Sequence, residues 1–341
     1  MWQVPLSSIT KDNCDKVVHS LERTNQGSWP ANYFDEAPIS FVEELVAIAT
    51  LFFTMGGPIV WFFIVLPASI YFEYVLYYLV ATVILALHPL PECSNFASRS
   101  YVIKCWYKYF SYRFVWVEDE REVAARCAPF IGAGVPHGVM PFANLLSVPA
   151  LNTTSTYSFV GCAASVVPRT PFLRYFTLLG FTDASKKSII SHLDAGESAG
   201  IVADGIAGIF HCNNAEETVN LLNRKGIAKL ALTVGVPIVP CYSIGNTECF
   251  TAVYDPWGYM EAASRKLQAS IFFYWGKFGL PIPHRTKITM VAGRTIMVDK
   301  VENPTEEEID DVHQKLLTGI KQAFDMHKES LGWGHKTMVF V

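Results

Sequence analysis

Residues 45–66 carry no charged side chain, and a helix needs about 20 such residues to cross the hydrocarbon core of a bilayer. Residues 70–87 form a second apolar run with one charge, Glu73, and only Pro67, Ala68 and Ser69 separate the two runs. Two spans joined so tightly must form a hairpin, which brings Met1 and Val341 to the same side. A buried core hairpin of a soluble protein is the competing arrangement, and the uncharged length argues against it. A cleaved signal peptide is disfavoured because residues 1–40 precede the first span. Arg99, Lys104, Lys108 and Arg113 follow the second run. Basic residues close to a span favour the cytoplasmic side, so the remainder is expected to face the cytosol, leaving the sequon at Asn152 unmodified. The expected division is a cytosolic segment 1–40, a membrane hairpin 41–90 and a cytosol-facing domain 91–341.

Composition narrows the function classes. The chain is 51% hydrophobic and 17% charged, against roughly 25% charged in ordinary soluble domains. A net charge of −4 gives no electrostatic footprint for nucleic acid. The eight cysteines are scattered without a Cys-x-x-Cys pair and read as reduced, packed thiols. The nine histidines show no His-Glu-x-x-His or other paired spacing, so no metal site is expected.

Beyond Pro91, strand-like and helical segments alternate. Residues 114–117, 129–133, 159–167, 200–203 and 238–243 read as strands. Residues 140–146 begin a helix, and 172–179, 185–193, 225–234 and 257–275 read as helices. Residues 287–298 have room for two strands around Gly293. In the last helix Thr305 and Glu308 fit a capping box, followed by an apolar face at Ile309, Val312, Leu316, Leu317, Ile320 and Phe324. This alternation argues for an α/β domain with helices covering a central sheet.

Several segments carry candidate chemistry. His137 lies in Gly132-Ala-Gly-Val-Pro-His-Gly138, between an expected strand and an expected helix. A histidine there can take a proton from a hydroxyl near neutral pH, and helix-start N–H groups can hold developing negative charge; taken alone it fits a hydrogen-bonded turn equally well. Asp204-Gly205 closes another strand, and strand ends are where ligands bind in open α/β sheets, although Asp-Gly is also a common turn. Arg224, Lys225 and Lys229 surround Gly226 and suit the phosphates of a nucleotide-bearing donor, or are simply solvated. Gly196-Glu-Ser198-Ala-Gly200 matches a nucleophile elbow, but the expected helix precedes it and the strand follows, the reverse of the required order.

Taken in order, these segments resemble the type-2 diacylglycerol acyltransferase family, with its monoacylglycerol and wax-alcohol acyltransferases. Pro136-His137-Gly138 is similar to the end of that family's His-Pro-His-Gly motif, and Arg169-Thr-Pro-Phe-Leu-Arg174 to its Arg-x-Pro-x-Leu-Arg segment. Asn223-Arg-Lys-Gly-Ile-Ala-Lys-Leu-Ala-Leu232 is very similar to its Asn-Arg-Lys-Gly-Phe-x-Lys-Leu-Ala-Leu block. The similarity continues through Ile238-Val-Pro240, Tyr242-Ser243, Gly245-Asn246, Glu248, Asn303-Pro-Thr305, Glu308-Ile-Asp310, His313 and Phe324-Asp-Met-His-Lys328. The chain departs from the pattern at four places. Val135 replaces the first His, and Tyr112-Arg-Phe114 stands where Tyr-Phe-Pro is usual. Phe142 occupies the position of the wider superfamily's Asp. In Asp204-Gly-Ile-Ala-Gly208, the Glu of Gly-Gly-x-x-Glu is Gly208.

The resemblance implies a glycerolipid-acyltransferase-like sheet flanked by helices behind an N-terminal transmembrane helical hairpin. It implies direct transfer from acyl-coenzyme A, a co-substrate rather than a bound cofactor, to diacylglycerol; monoacylglycerol or a long-chain alcohol would use the same chemistry. His137 is the implied base, Asp204 and Glu248 are candidates for its acidic partner, and Pro136, Gly138, Gly205, Arg224, Lys225, Gly226 and Lys229 are candidates for substrate contact. The setting implied is the endoplasmic reticulum membrane, with lipid droplets as a further site, and a homo-oligomer is compatible with it. The aromatic run at residues 271–275 suits either a lipid interface or a core helix. A serine esterase using Ser198 and a non-catalytic lipid-binding relative are the rival readings.

Overall fold

The computed structural model describes residues 17–20, 36–210, 216–253, 255, 257–267 and 272–341. Most of the segment 1–40, including Met1 and Cys14, lies outside the described residues, as do Cys212 and Ile271. The strands are β1 (Val18–Ser20), β2 (Arg113–Trp116), β3 (Ile131–Val135), β4 (Phe159–Ala163), β5 (Phe181–Asp183), β6 (Ser198–Val202), β7 (Glu217–Val219), β8 (Ile238–Ile244), β9 (Thr251–Ala252), β10 (Tyr274–Trp275), β11 (Thr289–Ala292) and β12 (Met338–Phe340). The helices are α1 (Phe41–Val60), α2 (Leu66–Tyr71), α3 (Val75–Leu87), α4 (Asn95–Ser98), α5 (Tyr101–Tyr109), α6 (Glu120–Cys127), α7 (Phe142–Thr154), α8 (Lys186–Asp194), α9 (Ala207–Phe210), α10 (Gly226–Val234), α11 (Tyr259–Leu267) and α12 (Glu306–His327).

The main sheet has the order β1-β2-β11-β8-β3-β6-β4-β5. Strands β8, β3, β6, β4 and β5 run parallel to one another. Strand β11 is antiparallel to β8 and parallel to β2, so the sheet is mixed. Strand β3 lies at its centre, buried at every position. Its glycines are used by protein neighbours: the Phe159 ring lies over Gly132 and over Gly200 of the adjoining β6, and a Cβ on Gly134 would meet Asn144 Oδ1 at 2.0 Å. One apolar layer, with Tyr107, Phe110, Phe142 and Leu146, joins the sheet to α1, α5 and α7. The other, with Leu193, Leu232, Leu316 and Phe324, covers it with α8, α10 and α12. The α12 capping box forms as expected, Thr305 Oγ1 accepting the Glu308 N–H at 3.2 Å and Glu308 Oε2 the Thr305 N–H at 2.8 Å.

Four expectations need correction. The apolar region does not turn at Pro67–Ser69. Helix continues from Phe41 to Tyr71 as one apolar span, 22% buried over its most apolar window, and reverses at Phe72–Tyr74 with Glu73 at φ 62°. Pro58 lies inside α1 and Pro67 follows the π-helical turn Trp61–Val65 after one intervening residue, and the helix runs through both. Helix α3 is shorter and folds back, its Tyr78 stacked on Trp61 at 5.3 Å and its Thr82 accepting from Trp61 Nε1 at 3.0 Å. Second, residues 257–275 are not one helix: α11 covers Tyr259–Leu267 among the described residues, and Tyr274–Trp275 pairs as a strand with Thr251–Ala252, as β-favouring aromatics do when a partner edge is near. Third, residues 287–298 hold one strand, β11, and beyond Gly293 only an isolated bridge from Ile296 to Ile238. Fourth, residues 172–179 wind as the 3-10 helix Leu173–Leu179.

The basic residues after the apolar region have folded roles. Lys104 and Arg113 are buried, and Lys108 pairs with Glu43 at 2.5 Å. With the Trp106 Nε1 to Thr50 Oγ1 bond at 2.8 Å, this fixes the first half of α1 against α5. Asn152 is engaged by the backbone of Phe159 through both amide atoms. The described cysteines are free, Cys93 exposed and Cys105, Cys127, Cys162, Cys241 and Cys249 buried.

Candidate active site

Three adjacent parallel strands, β8, β3 and β6, end on one edge of the sheet, and the chain leaves them into Gly245-Asn246, Pro136-His137 and Ala203-Asp204. Such an edge is where backbone groups freed from the ladder become available to a ligand. The three turns are tied together. The His137 N–H donates to Asp204 Oδ2 at 2.9 Å. Asn246 Nδ2 donates to the His137 carbonyl at 3.0 Å, and its Oδ1 accepts the Ala143 N–H at 3.1 Å at the start of α7. Ser243 Oγ donates to the Val135 carbonyl at 3.1 Å and the Pro136 carbonyl at 3.4 Å. Gly138 has φ +59°, and a Cβ there would lie 2.9 Å from Asn246 Nδ2.

His137 is half-buried at this edge, and its Nδ1 lies 2.8 Å from the Gly138 carbonyl. A carbonyl can only accept, so Nδ1 carries the proton and the Nε2 lone pair is left as a base. Desolvation lowers the imidazole pKa against the opposing hydrogen bonds, keeping the ring neutral near pH 7.

Asp204 is fully buried. Desolvation pushes its carboxyl up to about 7, against the His137 N–H, its own N–H and the Arg224 charge. Its Oδ1 has no hydrogen-bond partner among the described residues. Asp204 therefore holds the backbone of His137 rather than the imidazole. Glu248 is engaged elsewhere: its carboxylate pairs with Lys336 Nζ at 3.0 Å, and the same ammonium pairs with the buried Glu217 at 3.0 Å. Phe142, at the superfamily's Asp position, is a core residue whose ring lies tilted against that of Phe110 at 4.7 Å.

The basic segment divides. Arg224 Nη1 donates to the Asp204 carbonyl at 2.8 Å, and its guanidinium lies over Gly205, whose φ is +55° and whose added Cβ would meet Nη2 at 2.8 Å. Lys225 is bound by Asp310 of α12. Gly226 opens α10, and Lys229 projects from it to the surface. Of the three cations, Arg224 is the one that borders the Asp204 turn. Ser198 is fully buried at the start of β6, its hydroxyl accepting the Phe130 N–H at 3.1 Å. The turn at Gly196, φ +82°, precedes the strand, and no nucleophile elbow forms.

Asn246 and Ser243 have structural roles at the site that sequence reasoning did not assign. Both stand in the strand-end segment Tyr242-Ser-Ile-Gly-Asn246, and the polar pair beside a glycine after a buried strand was the signal available.

Fold and site thus define an α/β protein with a histidine at its strand ends and an apolar helical attachment. Residues 62–341 match the family model described as diacylglycerol acyltransferase, and the chain belongs to that family. Among curated relatives, diacylglycerol O-acyltransferase 2 of Xenopus laevis is 29% identical over 219 residues, 58% of this chain and 60% of that protein. The 2-acylglycerol O-acyltransferase 1 of Bos taurus is 32% identical over 184 residues, 50% of this chain and 55% of that one. The match thus spans under two thirds of the length of either relative. The solved 1-acyl-sn-glycerophosphate acyltransferase PlsC of Thermotoga maritima aligns with a TM-score of 0.40 at 14% identity, covering 82% of this chain and 95% of that chain, a likeness too slight to inform the site.

Proposed function

We propose that this chain transfers a fatty acyl group from acyl-coenzyme A to the free hydroxyl of diacylglycerol, forming triacylglycerol, with His137 as general base. The observation that carries this reading is the His137 Nδ1 bond to the Gly138 carbonyl, which leaves Nε2 as a neutral base at the ends of three strands. The acceptor hydroxyl loses its proton to Nε2 as its oxygen attacks the thioester carbon, and the carbonyl electrons move onto oxygen. Collapse of that tetrahedral adduct re-forms the carbonyl, breaks the C–S bond and releases the thiolate, which takes the proton from the imidazolium. General-base help of this kind contributes about 10²–10⁴-fold. In this scheme backbone N–H groups near Gly138 or Gly205 would hold the oxyanion, and Pro136 shapes the turn that presents the base. Arg224 is the first candidate for the phosphates of the donor; Lys225, with Gly226 beside it, and Lys229 are outer ones. The scheme needs neither a metal nor a covalent acyl-enzyme.

The acceptor is a bilayer lipid, and the apolar helices suit that. Phe63, Tyr71, Leu76 and Tyr77 are each at least 70% exposed, an apolar surface beyond what a soluble monomer usually shows. In this reading residues 41–90 are the membrane hairpin, with helix Phe41–Tyr71 as its long arm and α3 as its return. Residues 91–341 are the cytosol-facing acyltransferase domain, on the endoplasmic reticulum and lipid droplets. Phe273 and Trp275 lie at the interface, and a homo-oligomer is compatible with the arrangement.

The test is an acceptor panel with labelled acyl-coenzyme A, using membranes from cells without their own triacylglycerol synthesis. Triacylglycerol from wild type and none from His137→Ala is the expected result. Product only with monoacylglycerol or a long-chain alcohol would reassign the acceptor. No product with any acceptor, from folded and inserted protein, would overturn the enzyme reading in favour of a lipid-binding relative.

A further inference from the structure

Gly208 and Asp204 face one another across a single turn. A Cβ added at Gly208 would lie 2.1 Å from Asp204 Oδ2 and 2.5 Å from its Cγ. Both are far inside van der Waals contact, and Asp204 is fully buried, with Oδ2 fixed on the His137 N–H at 2.9 Å. The carboxylate cannot swing aside without giving up that bond. A side chain can therefore fill this seat from position 204 or from position 208, but not from both. The sequence has the acid first and the glycine last, the reverse of the Gly-Gly-x-x-Glu order that this segment resembles.

We infer that Asp204 is the positioning residue for the His137 turn, and that positions 204 and 208 are alternative origins of one carboxylate in one seat. The inference rests on the reading of His137 as the base. Asp204 touches the His137 backbone and not its ring, so it sets where the imidazole stands and does not exchange a proton with it. A glutamate from 208 passes through the same volume, and its longer chain has the slack to bring an oxygen to the same N–H.

The experiment compares wild type, Asp204→Gly, Gly208→Glu, the double exchange Asp204→Gly/Gly208→Glu, Asp204→Asn and His137→Ala, by acyl transfer and thermal unfolding. Asp204→Gly should lower kcat on the order of 10- to 100-fold, the factor a charge-assisted hydrogen bond represents, with KM for acyl-coenzyme A little changed. Gly208→Glu alone should be at least as damaging, because two acids then compete for one seat. The double exchange should recover most of the lost kcat and most of the lost melting temperature. Asp204→Asn keeps an acceptor oxygen for the His137 N–H and should stay within several-fold of wild type. A double exchange that is folded but no more active than Asp204→Gly would overturn the inference. If the double exchange does not fold, Asp204→Asn decides, and activity as low as that of Asp204→Gly overturns it too. If wild type transfers no acyl group, or His137→Ala transfers as well as wild type, the base reading has failed instead. The shared seat is then judged by melting alone: recovery in the double exchange supports it, and additive losses overturn it.

Discussion

Replacing Asn246 by alanine tests whether the turn that carries His137, and not the imidazole alone, sets the rate. Asn246 is 1% exposed and joins two elements, donating to the His137 carbonyl at 3.0 Å and accepting from the Ala143 N–H at 3.1 Å. Alanine strands both groups, and an unsatisfied buried polar group costs about 1–3 kcal/mol. The Ala143 N–H is fully buried and the His137 carbonyl loses its Asn246 donor, so a loss of about 2–6 kcal/mol follows from the two stranded groups. A displacement of the reacting atoms of about 1 Å can lower the rate about 10²-fold. Steady-state acyl transfer with varied acyl-coenzyme A, alongside thermal unfolding, should show kcat falling by one to two orders of magnitude and KM staying nearly constant. Gly138→Ala attacks the same contact from the other side, since its Cβ would press on Asn246 Nδ2 at 2.9 Å. The double variant should therefore be far less than additive. A lower melting temperature with unchanged kcat would refute the argument, because His137 would then hold its place without Asn246.

Arg174→Ala removes a buried guanidinium that donates to the Leu85 carbonyl and, at 2.5 Å, to the His88 carbonyl at the end of α3; hydrogen exchange at residues 85–88 should rise while the strand-end amides stay protected. Lys336→Met leaves Glu217 as a buried charge without its ion pair, and loss of one such partner costs about 3–5 kcal/mol, to be read as a lower unfolding midpoint in denaturant. The pH dependence has two signs. Burial lowers the His137 pKa, so the neutral base persists below the ordinary histidine range and the acid limb of kcat/KM should fall below pH ~6.5; its contribution to stability is present above that value and lost as pH falls. Asp204 runs the other way: its carboxyl ionises near 3.8 unfolded and about 7 folded, so stability declines between those pH values, by at most roughly 4 kcal/mol. Melting curves of wild type and Asp204→Asn from pH 4 to 8 should diverge in favour of the asparagine as pH rises.

Much of the strand-end site was legible because its local signals agree. A buried apolar run, then Pro-His-Gly, then a helix is the expected pattern for a residue presented at a sheet edge, and β3, His137 and α7 follow it. The capping box at Thr305 and the face from Ile309 to Phe324 gave α12 for the same reason. Of the partners of His137, Asp204 was legible only as a candidate and Asn246 not at all, because they lie 67 and 109 positions away along the chain and pairwise distance has no periodic trace. Glu248 shows the cost of this: its charge, judged by sequence alone, suited the histidine, yet a buried lysine near the C-terminus claims it. Short strands such as β1, β7 and β12 have too few residues for an alternation to register. Hydropathy places the reversal too early because it marks only where two apolar runs meet, whereas the helix runs through Pro67 and turns at Phe72–Tyr74.

The segment Arg169–Arg174 had only a resemblance to mark it, and the structure gives it a physical reason. Phe172 has φ 70° and ψ −50°, with the Leu173 N–H reaching back to the Pro171 carbonyl at 3.0 Å. That is the rarer, strained γ-turn, a conformation that costs about 1–3 kcal/mol and persists only where its surroundings impose it. The surroundings here are the apolar helix. The Phe172 ring fills the notch at Gly57, where an added Cβ would lie 2.8 Å from it, edge-on to Phe53 at 4.9 Å and near Trp61 at 6.1 Å. Two residues on, Arg174 satisfies carbonyls at the end of α3 that would otherwise face an apolar surround. One hexapeptide therefore grips both apolar helices, and it does so on leaving β4, a strand whose end lies on the same sheet edge as His137. In the reaction proposed above, whose acceptor would stay in a bilayer, His137 as base must keep a fixed height relative to the lipid. A strained aromatic wedge and a buried guanidinium hold that relation more firmly than a flexible linker would.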